Sequence, residues 1–387
     1  MREDRVNKRI IPERLRQARL YKGLSLDEAA EVLEVSSQAI SQYERGIITP
    51  KPVIIEKYTE QLGFPYLFFI KELNRPESAS QIFFRSYATA RKTIQKRIMV
   101  SHEWLWEIYD FLSNYIDFPE LNILDSGYIS AHSIEKIDYA KIEQIALELR
   151  AFWKIGTGPI NNITALLEKN GIIVVKKEFD DLKTDGFSQW ENGRPFIFVS
   201  SDKDSSVRIR YDLAHELGHI MLHSGISEDD LDNAKRFSII EKEAHYFAGA
   251  FLLPADSFSE EVFSSSVQSF IPLKRRWKVS IAAMVKRCEN LKLFSDTQIL
   301  NIHKYMSKNK MRKAEPLDGE IPIENPCILK QSIDILLKHQ VFSANTLLEK
   351  LGLPRAEIES LCGLPNDFFR ETEETSVKLR PNLRIVK

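Results

Sequence analysis

Two histidines and two glutamates lie at a spacing that suits metal chemistry in the middle of this 387-residue chain. Residues 215–219 read H-E-L-G-H, and Glu241 follows 22 residues after the second histidine. Residues four apart on an α-helix lie one above the other, so His215 and His219 can reach the same metal ion. Glu216 lies beside them, where it can act on a water at the metal without being a ligand.

Two helices must position these side chains. The first carries the motif, because apolar residues recur around it at helical spacing and would bury one face. The second is predicted over 239–248, where Glu241 shares a face with Ala244 and Ala248. A carboxylate aimed inward needs a partner, since an unpaired buried charge is costly, and a metal ion is one such partner. Glu243 is the alternative third ligand, because it too shares a stripe with an apolar residue.

Two further histidines lie near this set. His245, one turn after Glu241, is expected either to brace that carboxylate or to be a partly buried histidine satisfied by the backbone. His223 continues the stripe of the first two histidines, but a fourth protein ligand would close a site that catalysis requires to stay open. His223 is therefore interpreted as structural or as facing a substrate. The alternative for the whole set is a helix with ordinary polar-face histidines.

The pattern predicts a zinc-dependent peptidase. Its ligands would be two imidazoles and one carboxylate around Zn²⁺, with one position left for solvent. Glu216 would take a proton from the attacking water and return it to the leaving amine. A residue that stabilises the oxyanion cannot be assigned among Tyr211, His223 and Tyr246.

A wider set of residues surrounds the motif. It comprises residues 208–219, Glu241-x-x-Ala-His-x-Phe-Ala and Leu252-Leu-Pro254, with further stretches at 83–86, 142–150, 156–160 and 185–187. From about Gln81 to Pro316 the chain thereby resembles the ImmA/IrrE metallopeptidase family. Proteins of that family are zinc-dependent endopeptidases that cleave phage- or stress-related repressors.

The resemblance implies a role for each residue of the motif. His215, His219 and Glu241 would be the zinc ligands, and Glu216 would be the general base of a gluzincin-like metalloendopeptidase. Its substrate would be a repressor protein. The position that holds Asn or Asp in relatives is His245 here, a difference that leaves the ligand set intact.

The first seventy residues contain a second pattern, two short helices joined across a tight turn. Ser25 and Ser36 are expected to cap helices over 26–33 and 37–45, and Glu28 completes a capping box with Ser25. This is the helix-turn-helix arrangement, whose second helix enters the major groove of DNA. With its closing segment 43–50, Y-E-R-G-x-x-x-P, the region resembles the XRE/lambda-repressor-like DNA-binding family.

Double-stranded operator DNA is the partner that this second pattern predicts. The candidates for base-edge contacts are Ser37, Gln38 and Gln42, since glutamine can pair bidentately with adenine. Ser36 and Arg45 would hold phosphates, together with a basic arm that consists of Arg2, Arg5, Lys8 and Arg9. The alternative is a module that binds only protein. Residues 1–75 hold thirteen basic and eleven acidic residues, a modest excess for a DNA binder.

The expected fold class is α+β and mainly helical. The predicted parts are a five-helix helix-turn-helix domain (1–73), a helical connector (74–125), a zincin-like peptidase domain with a small antiparallel sheet (126–260), a helical helix-turn-helix-like subdomain (261–310) and a C-terminal helical region (311–387). Strands are expected over 171–176, 186–190 and 195–200. Such a sheet would offer an edge to which an extended substrate can add as a strand.

Two basic stretches leave alternatives open. Residues 81–100 contain five basic residues and no acidic one, which would either extend a DNA footprint or form a solvated helix face. Residues 274–287 would either grip DNA or a substrate, or pack on the peptidase core.

Composition is that of an ordinary globular protein. The net charge is -1, with 43% hydrophobic and 28% charged residues. The N-terminal residues do not resemble a secretory signal and no apolar run approaches a membrane span, so a cytoplasmic protein without a membrane partner is expected. Cys288, Cys327 and Cys362 form no C-x-x-C pair and are interpreted as small buried hydrophobes.

Three functions compete at this stage. The first is a DNA-bound regulator that cleaves a repressor, or itself, in a phage, mobile-element or stress response. The second is a transcriptional regulator whose metal fold senses a signal and cleaves nothing. The third is a peptidase whose helix-turn-helix docks a partner protein. A homodimer would match two half-sites on DNA, but no dimer surface can be assigned.

Overall fold

The computed structural model describes residues 9–74, 79–83, 92–124, 137–179, 185–202, 205–223, 226 and 233–372. They form two compact units. The first unit comprises the described residues of segments 1–77, 90–118 and 327–387, and the second those of 78–89 and 119–326. The predicted arm residues Arg2, Arg5 and Lys8 lie outside the described residues, as do Arg85 and Arg91 of the basic stretch 81–100.

The described part of the chain is mainly helical, with one sheet in the second unit. In chain order its elements are α1 (Pro12–Tyr21), α2 (Leu26–Leu33), α3 (Ser37–Glu44), α4 (Pro52–Leu62), α5 (Tyr66–Ile70), β1 (Ala79–Phe83), α6 (Lys92–Ser113), α7 (Tyr139–Phe152), α8 (Ile163–Lys169), β2 (Ile173–Lys177), β3 (Gly186–Glu191), β4 (Arg194–Ser200), α9 (Ser206–Leu222), α10 (Ala234–Leu252), α11 (Ala255–Ser259), α12 (Val267–Trp277), α13 (Ile281–Asn290), α14 (Asp296–Lys308), α15 (Ile328–Lys338), α16 (Ala344–Leu351) and α17 (Arg355–Leu361). The predicted α+β, mainly helical class is confirmed.

Two of the first five helices, α2 and α3, begin at the capping residues that the sequence predicts. The Ser25 hydroxyl accepts the Glu28 backbone N–H at 3.1 Å, and the Glu28 carboxylate accepts the Ser25 N–H at 2.7 Å. The Ser36 hydroxyl accepts a backbone N–H at the start of α3. Arg19 of α1 then holds Glu44 of α3 through two hydrogen bonds of 2.6 and 2.8 Å. These contacts fix the second helix of the pair against the domain.

Helix α6 and the C-terminal helices pack within the same unit as α1–α5. The buried Arg14 guanidinium of α1 donates to the Glu107 carboxylate of α6 at 2.7 Å. Trp104 of α6 is fully buried and forms part of the core. From the C-terminal region, the Phe342 ring lies 5.8 Å from that of Phe111 in α6. Helix α6 and the C-terminal helices therefore share one core with the helix-turn-helix.

The sheet of the second unit is mixed, which corrects the expectation of a purely antiparallel one. Its strand order is β1-β3-β4-β2, and β2 runs parallel to β4. Strands β3 and β4 are antiparallel because a two-residue turn joins them, with positive φ at both Asn192 and Gly193. Such turns match the twist of a hairpin. Strand β2 pairs with β4 on the side opposite β3 and runs in the same direction as β4.

Helices α9 and α10 cover this sheet and form the centre of the core. Helix α9 contacts β3 and β4, while α10 packs against α9 and α7. Leu213, Leu217 and Ile220 of α9 are completely buried, as are Phe247 and Phe251 of α10. The apolar stripe that predicted the motif helix is therefore its inward face.

Two residues of the basic stretch 274–287 pair with carboxylates inside the second unit. Lys274 is fully buried and contacts the Glu315 and Asp318 carboxylates at 2.8 and 2.5 Å. Arg287, also buried, pairs with Glu143. These side chains hold α12 and α13 onto the core. Of the two expectations for this stretch, the contacts favour packing over a grip on DNA.

None of the described helices combines the length and apolar character that a bilayer span requires. The three cysteines are free thiols, of which Cys288 and Cys362 are buried.

Candidate metal centre

His215, His219 and Glu241 meet between α9 and α10. The two Nε2 atoms lie 3.1 Å apart. The Glu241 carboxylate lies 3.5 Å from His215 Nε2 and 3.3 Å from His219 Nε2. All three side chains are at most 8% exposed. Residues from two helices thus present three donor groups toward one point.

The spacing of these donor atoms fits a zinc ion. Four ligands at about 2.0–2.1 Å in a tetrahedron are separated from one another by about 3.3 Å. The two Nε2 atoms lie 3.1 Å apart, His219 Nε2 lies 3.3 Å from Glu241 Oε1, and His215 Nε2 lies 3.5 Å from Glu241 Oε2, all close to that value. Imidazole nitrogen and carboxylate oxygen are also ligands that zinc accepts.

Glu241, and not its rival Glu243, faces the histidine pair. Burial opposes ionisation of Glu241, but hydrogen bonds and charge from His215 and His219 outweigh it and lower the pKa of that carboxyl. Glu243 instead accepts the backbone N–H of Ile137 at 2.7 Å. The rotation of α10 about its axis therefore separates two carboxylates that the sequence left as alternatives.

A close approach of α9 and α10 brings Glu241 to the histidines. A Cβ atom added at Gly218 would lie 3.1 Å from the Ala244 carbonyl oxygen and 3.1 Å from a ring carbon of Phe247. Glycine at this position lets the two helix backbones come together. The glycine inside the H-E-L-G-H motif thus has a packing role at the contact between the two helices that carry the donor groups.

Glu216 lies on the sheet side of α9 and is held by β3. The Ser188 hydroxyl donates to Glu216 Oε2 at 2.8 Å. Gly186 shares that strand face, and a Cβ atom there would lie 3.5 Å from Glu216 Oε1. Ser188 was not among the site residues predicted from the sequence. Side chains two apart on a strand share a face, and this alternation places residue 188 beside Gly186 of the 185–187 stretch. That pattern could have indicated Ser188.

The surroundings of Glu216 make its carboxyl a weaker acid than an exposed glutamate. Burial raises its pKa from 4.5 to about 7, although the charge of His219 and the Ser188 hydrogen bond act in the opposite direction. The charges of Glu241 and Asp185 raise it further. A carboxylate with a pKa near neutrality is suited to accept and return a proton.

This shift makes the stability of the metal-free protein depend on pH. The folded-state pKa of about 7 lies above the ordinary 4.5, so folding favours the protonated carboxyl of Glu216. The stability that this protonated carboxyl gives the folded protein is complete below about pH 4.5 and is lost as pH rises through 7. We expect metal-free Glu216→Gln to be more stable than metal-free wild type at pH 8, by up to on the order of 3 kcal/mol. Urea unfolding with chelator at pH 5 and pH 8 tests this. An advantage that is equal at both pH values would contradict it.

His223 lies behind His219 and is turned away from the donor cluster. Its Nδ1 is 3.1 Å from His219 Nδ1, and its Nε2 is 3.1 Å from Glu243 Oε2. Burial lowers the pKa of His223 to about 4, although the Glu243 hydrogen bond opposes the shift. With 1% exposure it cannot face a substrate. Of the two interpretations, the structural one agrees with this position.

His245 lies on the more open side of the cluster. Its ring centroid is 4.3 Å from that of His215, and the side chain is half-buried. Ligand atoms of His215, Glu241 and His245 lie within 4.8 Å of one another, so these three also form a group that could hold a metal ion. The Tyr211 hydroxyl donates to the His245 carbonyl oxygen at 3.1 Å, and the Tyr246 ring stacks on Tyr139.

The sheet edge beside Glu216 is covered by the chain itself. Strand β1 pairs with β3 in antiparallel fashion, and Phe83 is the backbone partner of Ser188. Strand β3 is therefore not a free edge to which an extended substrate could add. A peptide that approaches from this side meets β1 first.

The five predicted DNA-contacting residues lie on α3 and its two ends. Ser36, Gln38 and Arg45 are exposed, while Ser37 and Gln42 are half-buried. The Arg45 guanidinium Nε donates to the backbone of its own helix at 3.2 Å. The structure thus places all five on one short element.

Known protein families match both the helix-turn-helix region and the region that holds the candidate metal centre. Residues 13–66 match a helix-turn-helix domain model, and residues 167–289 match a peptidase family model described as the IrrE N-terminal-like domain. A 67-residue stretch is 42% identical to an HTH-type transcriptional regulatory protein of Aeropyrum pernix, covering 17% of this chain and 20% of that protein.

A Mycobacterium tuberculosis transcriptional regulator of known structure is 19% identical, with a TM-score of 0.28 over 48% of this chain and 51% of that one. A score this low does not indicate a shared overall fold. The chain thus spans about a fifth of the first relative and about half of the second. The match to the IrrE N-terminal-like model includes both helices of the candidate metal centre. The chain therefore combines a helix-turn-helix domain with an IrrE N-terminal-like, metallopeptidase-like domain, as its two sets of motifs predict.

Proposed function

We propose that this protein is a DNA-binding regulator whose second unit is a zinc-dependent endopeptidase that cleaves a repressor protein. The observation that carries the proposal is the convergence of His215 Nε2, His219 Nε2 and the Glu241 carboxylate at 3.1–3.5 Å from one another. Three protein ligands with one position left over are typical of catalytic rather than structural zinc sites.

The chemistry follows from the groups around that point. A zinc ion held by His215, His219 and Glu241 would polarise a carbonyl and lower the pKa of water toward neutrality. Glu216 accepts a proton from the attacking water on its carboxylate and delivers it to the nitrogen of the leaving amine. Ser188 holds Glu216 Oε2 in place through its 2.8 Å hydrogen bond. Burial raises the pKa of Glu216 to about 7 in the metal-free protein.

Metal content and chelator-sensitive cleavage together test the proposal. The purified full chain is assayed for bound zinc and incubated with candidate repressors encoded beside it, with and without chelator. We expect about one zinc per chain, and cleavage that chelator abolishes and added zinc restores. A folded chain that takes up no zinc from excess would sink the proposal.

DNA binding by the first unit is supported by the exposed side of α3 and by the helix-turn-helix match over 13–66. We expect Arg45→Ala to weaken binding about equally for all sequences and to reduce the salt slope by about 1. Gln42→Ala should instead relax discrimination at one base pair, by about 1–3 kcal/mol. Gel shifts on the chain's own promoter at several salt concentrations measure both. Lys308→Ala, an exposed change in the second unit, is the control, and equal weakening by Lys308→Ala and Arg45→Ala would contradict the assignment.

A second candidate function is a zinc-binding sensor that cleaves nothing. It is favoured by one observation, the place of His245 within 4.8 Å of the donor atoms of His215 and Glu241. If His245 added a fourth ligand, the open position would be lost. Tight zinc binding without cleavage, combined with weaker zinc binding by His245→Asn, would favour the sensor. Cleavage retained by His245→Asn would favour the peptidase.

A further inference from the structure

A buried chain of polar side chains runs from the candidate metal centre to the beginning of α7. His219 Nε2 faces the donor cluster, and His219 Nδ1 lies 3.1 Å from His223 Nδ1. His223 Nε2 lies 3.1 Å from Glu243 Oε2, and the other oxygen of Glu243 accepts the Ile137 backbone N–H at 2.7 Å. His219, His223 and Glu243 are each no more than 2% exposed.

Metal binding at His219 allows one arrangement of protons along this chain. A histidine that binds a metal through Nε2 carries its hydrogen on Nδ1. His219 Nδ1–H must then donate to His223 Nδ1, which is left as the acceptor. The hydrogen of His223 therefore sits on Nε2 and is donated to Glu243. Each contact thus has one donor and one acceptor.

We propose that His223 and Glu243 are positioning residues that fix the ring orientation and tautomer of His219 for metal binding. This inference rests on the proposed zinc site. Histidine ligands commonly donate their second ring N–H to a carboxylate, and loss of such a partner weakens metal affinity by about 10- to 100-fold. Here an additional imidazole is inserted between ligand and carboxylate.

A pair of substitutions at position 223 separates this role from simple packing. His223→Gln can accept the His219 N–H through its carbonyl oxygen and donate its amide to Glu243, so zinc affinity should stay within about threefold. His223→Leu fills the space but offers neither group, so the zinc Kd should rise about 10- to 100-fold. A packing role predicts the reverse preference, because leucine suits an apolar core better than glutamine.

Zinc Kd values from competition with a chromophoric chelator are the readout, and they need no substrate. Glu243→Gln, which keeps the size but removes the charge, is the second variant if His223→Leu does not fold, and we expect its zinc Kd to rise several-fold. His102→Leu, a change at a buried histidine of the first unit, is the control for loss of an imidazole. Unchanged zinc affinity in folded His223→Leu, or in Glu243→Gln, would overturn the inference. A wild-type chain that binds no zinc would instead overturn the proposed function.

Discussion

Glu216→Gln is expected to retain zinc and to lose cleavage by about 10²- to 10⁴-fold, the usual contribution of a general base. Glutamine has nearly the same shape, so the contact of residue 216 with Ser188 can persist. It cannot accept a proton from water at neutral pH, so proton transfer fails. Initial rates of repressor cleavage, measured beside zinc content, test the prediction.

Ser188→Ala is the matched control for this substitution. It removes the hydroxyl that holds Glu216 Oε2 but leaves the carboxylate as a base. Its loss of activity should be clearly smaller than that of Glu216→Gln. Proteolysis that persists in a zinc-loaded Glu216→Gln protein would rule out Glu216 as the base.

His219→Ala is expected to abolish both zinc binding and cleavage. It removes one of three donors and leaves His215 with the Glu241 carboxylate, too few for a stable zinc site. A ligand at 100 times its Kd stabilises the folded protein by about 2.7 kcal/mol. For a domain of this size that corresponds to a Tm rise of roughly 5–10 °C in wild type, and to none in the variant.

Thermal unfolding with and without zinc measures this difference. Because each variant is compared with its own metal-free form, a general loss of stability does not disturb the result. His102→Ala should keep the zinc-dependent rise, since His102 is buried in the first unit. A rise that persists in His219→Ala would contradict the ligand assignment and point to His215, Glu241 and His245 as the binding group.

Local patterns sufficed for the features that depend on neighbours in sequence. The capping box of Ser25 and Glu28 and the cap at Ser36 set the starts of α2 and α3, as predicted. The four-residue spacing places His215 and His219 on one helix face, because helix geometry is the same wherever the helix lies. Residues within about one helical turn of each other therefore suffice to predict where a helix begins and which side chains share its face.

Contacts between distant segments needed the folded chain. Ser188 reaches Glu216 from a strand 28 residues earlier. Lys274 pairs with Glu315, 41 residues later, so this basic residue lies in the core and not on the surface. The parallel pairing of β2 with β4 depends on the order of the strands in the sheet.

The choice between Glu241 and Glu243 shows where sequence reasoning ends. Both carboxylates lie on α10, and helical periodicity offers each of them an apolar stripe. The sequence determined the motif, its helix and the need for a carboxylate from a second helix. Only the tertiary structure decided which one, because the rotation of α10 about its axis depends on how it packs against α9. That rotation directs Glu241 to the donor cluster and Glu243 to His223.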